Sequence, residues 1–108
     1  MAQRLNDADF HARLAGFLAA AQLKVDAYNA QFSHLANATP LRVDGNGVKY
    51  IRIVSPGSGV YVFVSRETGD ILKAATFTKP VTNNPRGNIS DEDYGARGVN
   101  WHGAVYLR

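Results

Sequence analysis

The apolar residues Leu14, Leu18, Ala21, Val25, Tyr28, Phe32 and Leu35 recur at alternating intervals of four and three, the spacing of one face of an α-helix. A second series, Gly16, Ala20, Leu23, Ala27 and Ala30, keeps the same rhythm on the opposite side. Between Leu14 and Ala36 only Lys24 and Asp26 carry formal charge. Together these positions predict a helix over about 7–37, capped by Asp7 or Asn6, with Asp9 in its positive first turn. A helix apolar on two sides is covered on two sides. The large residues suit a sheet of the same domain, and the small ones admit a second helix at close range. Self-association as a dimer or tetramer through Gly16, Ala20, Leu23, Ala27 and Ala30 follows as an expectation. The alternative is a helix broken at Gly16 or near Asn29 and folded back within one chain, since 9–36 unbroken would span roughly 40 Å.

After Pro40 the period changes. Leu41–Val43 leads into Asp44-Gly45-Asn46-Gly47, a hairpin signal. Val48–Val54, Val60–Arg66 and Ile71–Phe77 follow as strands, separated by Ser55-Pro56-Gly57-Ser58-Gly59 and by Glu67-Thr68-Gly69-Asp70. Connections this short make neighbouring strands antiparallel. The predicted fold is α+β: the long helix packed on an antiparallel β-meander over about 41–77, in a single domain spanning 1–108. The segment 78–108, rich in Gly and Pro, reads as irregular, with Ala104–Arg108 as a candidate terminal strand.

Composition removes several function classes. No cysteine is present, which excludes disulfide scaffolds, thiolate metal sites and cysteine nucleophiles. His11, His34 and His102 have no metal-binding spacing, no Ser sits in a G-x-S-x-G elbow, and no phosphate-binding glycine loop occurs. The expectation is a protein that is not an enzyme, with no catalytic residues, no metal and no cofactor. Asp91-Glu92-Asp93 lacks the ligand alternation of a calcium loop and reads as a solvated loop, a protein-partner contact or an intersubunit ion pair. No apolar run approaches a membrane span, and two acids stand in the first ten residues where a signal peptide has its apolar core, so a cytoplasmic protein without membrane contact is expected.

Charge is uneven. Residues 1–37 balance, whereas 38–90 hold seven cations against three acids, a basic middle suited to an anionic partner. Aromatics alternate with those cations. Single-strand binders combine a positive track for phosphates with flat side chains on which unpaired bases stack. Strict alternation places Val60, Val62 and Val64 beneath the helix and Tyr61 and Phe63 on the open face, near Tyr50 and Arg52. The candidate nucleic-acid surface is therefore Lys49, Arg52, Arg66, Lys73, Lys79 and Arg86 on phosphates, with Tyr50, Tyr61, Phe63 and Phe77 stacking bases. The competing reading puts Tyr61 and Phe63 in a dimer core or under the C-terminal segment. Phe77, Tyr94 and Trp101 face the same choice between platform and anchor.

Three strings carry a resemblance: Thr68-Gly69-Asp70-Ile71-Leu72-Lys73-Ala74-Ala75, Pro85-Arg86-Gly87-Asn88-Ile89 and Ala104-Val105-Tyr106-Leu107-Arg108. Over about residues 48–108 the chain resembles small bacteriophage proteins that include single-stranded-DNA-binding cofactors of phage RNA polymerases. In that group an aromatic after the Lys-Ala-Ala string is often Trp; here it is Phe77. The resemblance implies sequence-independent binding of single-stranded DNA in phage transcription or replication, by holding melted promoters and recruiting a phage RNA polymerase in an infected cell. A protein-binding adaptor without nucleic-acid contact, or an RNA-binding protein, are the alternatives.

Overall fold

The structure, a computed structural model, describes residues 6–32, 40–44, 49–55, 59–100 and 103–104. Helix α1 runs over Asp7–Phe32 without a break at Gly16. Asn6 caps it: its Oδ1 accepts from the Asp9 N–H at 2.8 Å while its Nδ2 donates to the Asp9 carboxylate at 3.1 Å. The unbroken helix excludes the folded-back alternative over these residues. The sequence prediction that it continues to residue 37 falls on residues outside the described set.

Among the described residues five strands follow: β1 (Arg42–Asp44), β2 (Tyr50–Ser55), β3 (Gly59–Ser65), β4 (Asp70–Leu72) and β5 (Gly87–Asn88). They form one antiparallel sheet in chain order, so the α+β meander holds. Beyond shifts of a residue or two at strand ends, two features differ from expectation. The strand predicted over Ile71–Phe77 ends at Leu72, because the chain turns out at Lys73 and returns at Val81, whose N–H donates to the Lys73 carbonyl at 2.7 Å. The fifth strand comes from the segment expected to be irregular. The candidate terminal strand is seen only as a bridge between Val99 and Ala104, the rest of it lying outside the described residues.

The helix buries Phe10, Leu14, Phe17, Ala21 and Val25 against Ile53, Val62, Val64 and Ile71 of the sheet, with Ile89 and Val99 closing the core. Each large side chain so buried contributes roughly 1.5–3 kcal/mol relative to exposure. Phe10 and Phe17 thus anchor the layer more strongly than the seam residues Leu18 and Tyr28, which are only half-buried. Gln22 tethers the chain where it enters the sheet, its Oε1 accepting from the Leu41 N–H at 2.7 Å.

Beyond β4 the chain is ordered by side-chain caps. Asn88 donates from Nδ2 to the Thr68 carbonyl and to Asp70, both at 2.9 Å, joining two of the strings that carry the phage resemblance. A 3₁₀ turn, Ala96–Gly98, packs back on α1, where the Lys24 ammonium donates to the carbonyls of Ala96 (2.5 Å) and Val99 (2.9 Å). None of the described helices is long and apolar enough to cross a membrane.

Candidate nucleic-acid interface

Strand register builds the face opposite α1. Asp44 stands opposite Arg52, Arg52 opposite Phe63, and Phe63 opposite Leu72, one row across four strands. Period-two alternation puts Tyr50 on the same face as Arg52. Arg52 organises this row. Its Nη2 and Nε lie 2.9 and 3.1 Å from Asp44 Oδ2, and its Nη1 donates to the Phe77 carbonyl at 3.1 Å. Its guanidinium carbon sits 4.3 Å from the Phe77 ring centroid.

Phe77 is delivered by the excursion between Lys73 and Val81. Thr76 closes the tip, its Oγ1 accepting from the N–H groups of Thr78 (3.2 Å) and Lys79 (3.1 Å), while Ala75 and Thr76 donate to the Lys79 carbonyl at 2.8 and 3.0 Å. This bonding fixes a short loop that presents Phe77 at 55% exposure with Lys79 exposed beside it. Lys49 is exposed next to Tyr50, its ammonium 5.5 Å from that ring's centroid. The structure therefore brings together Arg52, Phe77 and Lys79, with Tyr50 at the start of the same strand and Lys49 just before it. Lys73 is half-buried at the root of the loop. Arg86 is half-buried beyond β4, donating from Nη1 to the Asn84 carbonyl at 2.6 Å and from its backbone to Ile71 at 2.8 Å, away from this group.

Three expected members are not surface groups. Tyr61 is 3% exposed, within the core cluster, and its hydroxyl donates to the Asn100 carbonyl. Burial pushes that hydroxyl well above the ordinary phenol range, so it stays a neutral donor. The cause is a bulge. Ile53 pairs with Val62 but Val54 pairs with Val60, so Tyr61 is an extra residue turned into the core while Val60 faces the other way. Phe63 does lie on the face opposite α1, but at 3% exposure it is a packed residue and offers no stacking platform. Arg66 is buried in an ion pair with Asp7, its guanidinium 4.2 Å over the Phe10 ring, and is spent on the fold.

One member of this group is absent from the sequence-predicted set. The sequence places Asp44 at the start of a hairpin turn, whereas in the structure it compensates Arg52. A hairpin centred on the predicted turn at 44–47 does not set Asp44 across from Arg52; the observed register does.

On the small-residue side of α1, Gly16 stands apart from the other members. A Cβ on Gly16 would lie 2.7 Å from the Tyr94 ring, so this glycine gives room to a side chain of its own domain, not to a second helix. Tyr94 is thus an anchor, with the Arg13 guanidinium 5.4 Å from its ring. Ala20 is half-buried, while Leu23 (71%), Ala27 and Ala30 are exposed. The acidic cluster caps local turns. Asp91 accepts from the Asn88 N–H at 3.0 Å, and Asp93 accepts from Gly95, from the Arg97 backbone and from Arg97 Nε at 3.0, 2.9 and 3.2 Å.

No protein-family model, no curated protein and no solved structure matches this chain.

Proposed function

We propose that this protein binds single-stranded DNA, without sequence preference, through the face of its sheet opposite α1. The observation that carries the reading is the Arg52–Phe77 pair: an exposed ring held against a guanidinium on one side offers its other side to a planar group. Base–aromatic stacking is tolerant of sequence because every base has a π-face. Lys79 and Lys49 supply charge for phosphates on either flank, and the basic balance of residues 38–90 supports an anionic ligand. The phage resemblance over residues 48–108 supports a role at melted promoters with a phage RNA polymerase as partner, in the cytoplasm of an infected cell and as a homo-oligomer. Arg52 is already compensated by Asp44, so the phosphate count is small. With about three phosphates neutralised, log K falls against log salt with a slope near −2.

Gel shifts with single-stranded DNA, duplex DNA and single-stranded RNA at two salt concentrations test it. The expected order is single-stranded DNA above duplex, with the slope just given. Equal affinity for duplex, or binding indifferent to salt, overturns the reading. A second reading, an adaptor that docks on a polymerase, is favoured by Leu23 standing exposed beside Ala27. It predicts that Leu23→Asp abolishes polymerase binding while DNA binding is untouched.

A further inference from the structure

We propose that the outer edge of β1, unpaired among the described residues, pairs with the same edge of a second copy, joining the two sheets into one. β1 ends the strand order, and among the described residues β2 is its one neighbour. An exposed edge is a row of unpaired backbone donors and acceptors, ready to accept a strand. Three consecutive side chains of this edge select the partner. Antiparallel pairing about Val43 sets Arg42 opposite Asp44 of the second copy and Asp44 opposite its Arg42. Opposite charges directly across a strand pair attract and like charges repel. Parallel pairing in the same register sets Arg against Arg, so the sequence Arg-Val-Asp favours the two-fold arrangement.

The two faces of the strand agree with this. Val43 stands opposite Ile53 of β2, on the side of α1, and is 42% exposed. Pairing Val43 with its copy continues the apolar layer across the junction. Arg42 stands opposite Val54 and Asp44 opposite Arg52, on the side away from α1. The ion pairs therefore form on the polar side, where Asp44 links Arg52 of its own sheet to Arg42 of the next. A two-fold axis between antiparallel strands runs perpendicular to the sheet and preserves its faces. Both helices then lie on one side and both Arg52–Phe77 pairs on the other. The inference does not rest on nucleic-acid binding, because its test reads mass alone.

The full chain is compared by sedimentation velocity with Arg42→Asp, whose edge reads Asp-Val-Asp, and with Asp44→Arg, whose edge reads Arg-Val-Arg. Wild type is expected as a dimer, each variant as a monomer, and an equimolar mixture as a dimer again. Arg42 is exposed, so Arg42→Asp poses the question without disturbing the Arg52 pair. A monomeric wild type overturns the proposal, as does a dimer that survives Arg42→Asp. A mixture that stays monomeric while both variants keep the wild-type circular dichroism also overturns it. Dissociation by Ala27→Glu with Arg42→Asp still dimeric would transfer the interface to α1.

Discussion

The guanidinium of Arg66 lies 4.2 Å from the centroid of the Phe10 ring, with Asp7 as its ion-pair partner. Asp7 and Phe10 are three residues apart on α1 and so share a face. Arg66 follows the last residue of β3, and its N–H donates to the Lys49 carbonyl at 2.9 Å. One side chain thus ties the first turn of the helix to the middle of the sheet. The Arg52–Phe77 pair has the same chemistry at a similar distance, but its ring is exposed where Phe10 is buried. Burial, not the pair itself, separates a structural cation from a candidate binding one.

Replacing Arg66 with Ala removes the stem packed on Phe10 and the charge over its ring. Asp7 is largely solvated, so its release costs little. We expect a loss of about 1–2 kcal/mol of stability, read by urea denaturation, and unchanged affinity for single-stranded DNA in folded protein. A fall in affinity with no fall in stability would return Arg66 to the binding surface.

The two phenylalanines should separate just as cleanly. Phe77→Ala is expected to weaken binding by about 1–3 kcal/mol for each stacked base and to leave the thermal transition within a degree or two of wild type. Phe63→Ala empties a packed site and costs roughly 3–5 kcal/mol of stability. Paired melting and titration experiments on both variants decide the assignment, and the opposite pattern refutes it.

Much of this architecture is legible in the residues. The four-three spacing of Leu14, Leu18, Ala21 and Val25 predicts the helix, and Gly69 between two apolar runs predicts the turn that sends β4 back. What period two cannot reveal is a bulge, because one inserted residue reverses every assignment on one side of it. Strict alternation therefore puts Tyr61 on the open face, whereas it lies in the core. Long-range capture is equally hidden: nothing local to Arg66 announces a carboxylate at residue 7. The excursion carrying Phe77 was missed because Ile71–Phe77 is apolar enough to read as one strand, although Pro80 and Thr76 favour a turn.

Arg52 acts both as a charge and as a flat surface, and Lys keeps only the charge. Arg52→Lys is expected to lower affinity for single-stranded DNA several-fold while preserving the salt slope, since Phe77 loses its support but no cation is removed. Lys79→Ala should do the reverse in one respect, making the slope shallower by roughly 0.7. Fluorescence anisotropy across a salt series reads both quantities, and an unchanged affinity for Arg52→Lys would show that its charge, not its shape, matters.

Burial tends to raise the Asp93 carboxyl, but the N–H groups of Arg97 and Gly95 and the Arg97 guanidinium outweigh it and hold the group below the ordinary Asp range. A depressed carboxyl stabilises the fold above its unfolded-state pKa, and that contribution disappears as pH falls through the lower folded value. We expect the turn around Ala96–Gly98 to loosen only at strongly acidic pH, seen as faster amide exchange at Gly95 and Arg97. Asp93→Asn should remove that pH dependence, and its persistence would assign the effect to another carboxylate.

Gly16 poses a test in which two magnitudes oppose each other. In an exposed helix, Gly→Ala stabilises by about 0.8–1 kcal/mol through propensity alone. Here the added Cβ would come 2.7 Å from the Tyr94 ring, closer than packed atoms approach. Tyr94 is not free to swing as a whole, because its backbone holds a left-handed φ of 57° and its N–H donates to the Asp91 carbonyl at 2.9 Å. Overpacking of this kind costs roughly 1–3 kcal/mol, so the clash exceeds the propensity gain and Gly16→Ala should destabilise. In a Tyr94→Ala background the ring is gone and the same substitution should become stabilising. The sign reversal, measured as a double-mutant cycle in urea, identifies the ring as the cause. A Gly16→Ala protein that is more stable than wild type, or that changes its oligomeric state, would return this glycine to an interface between helices.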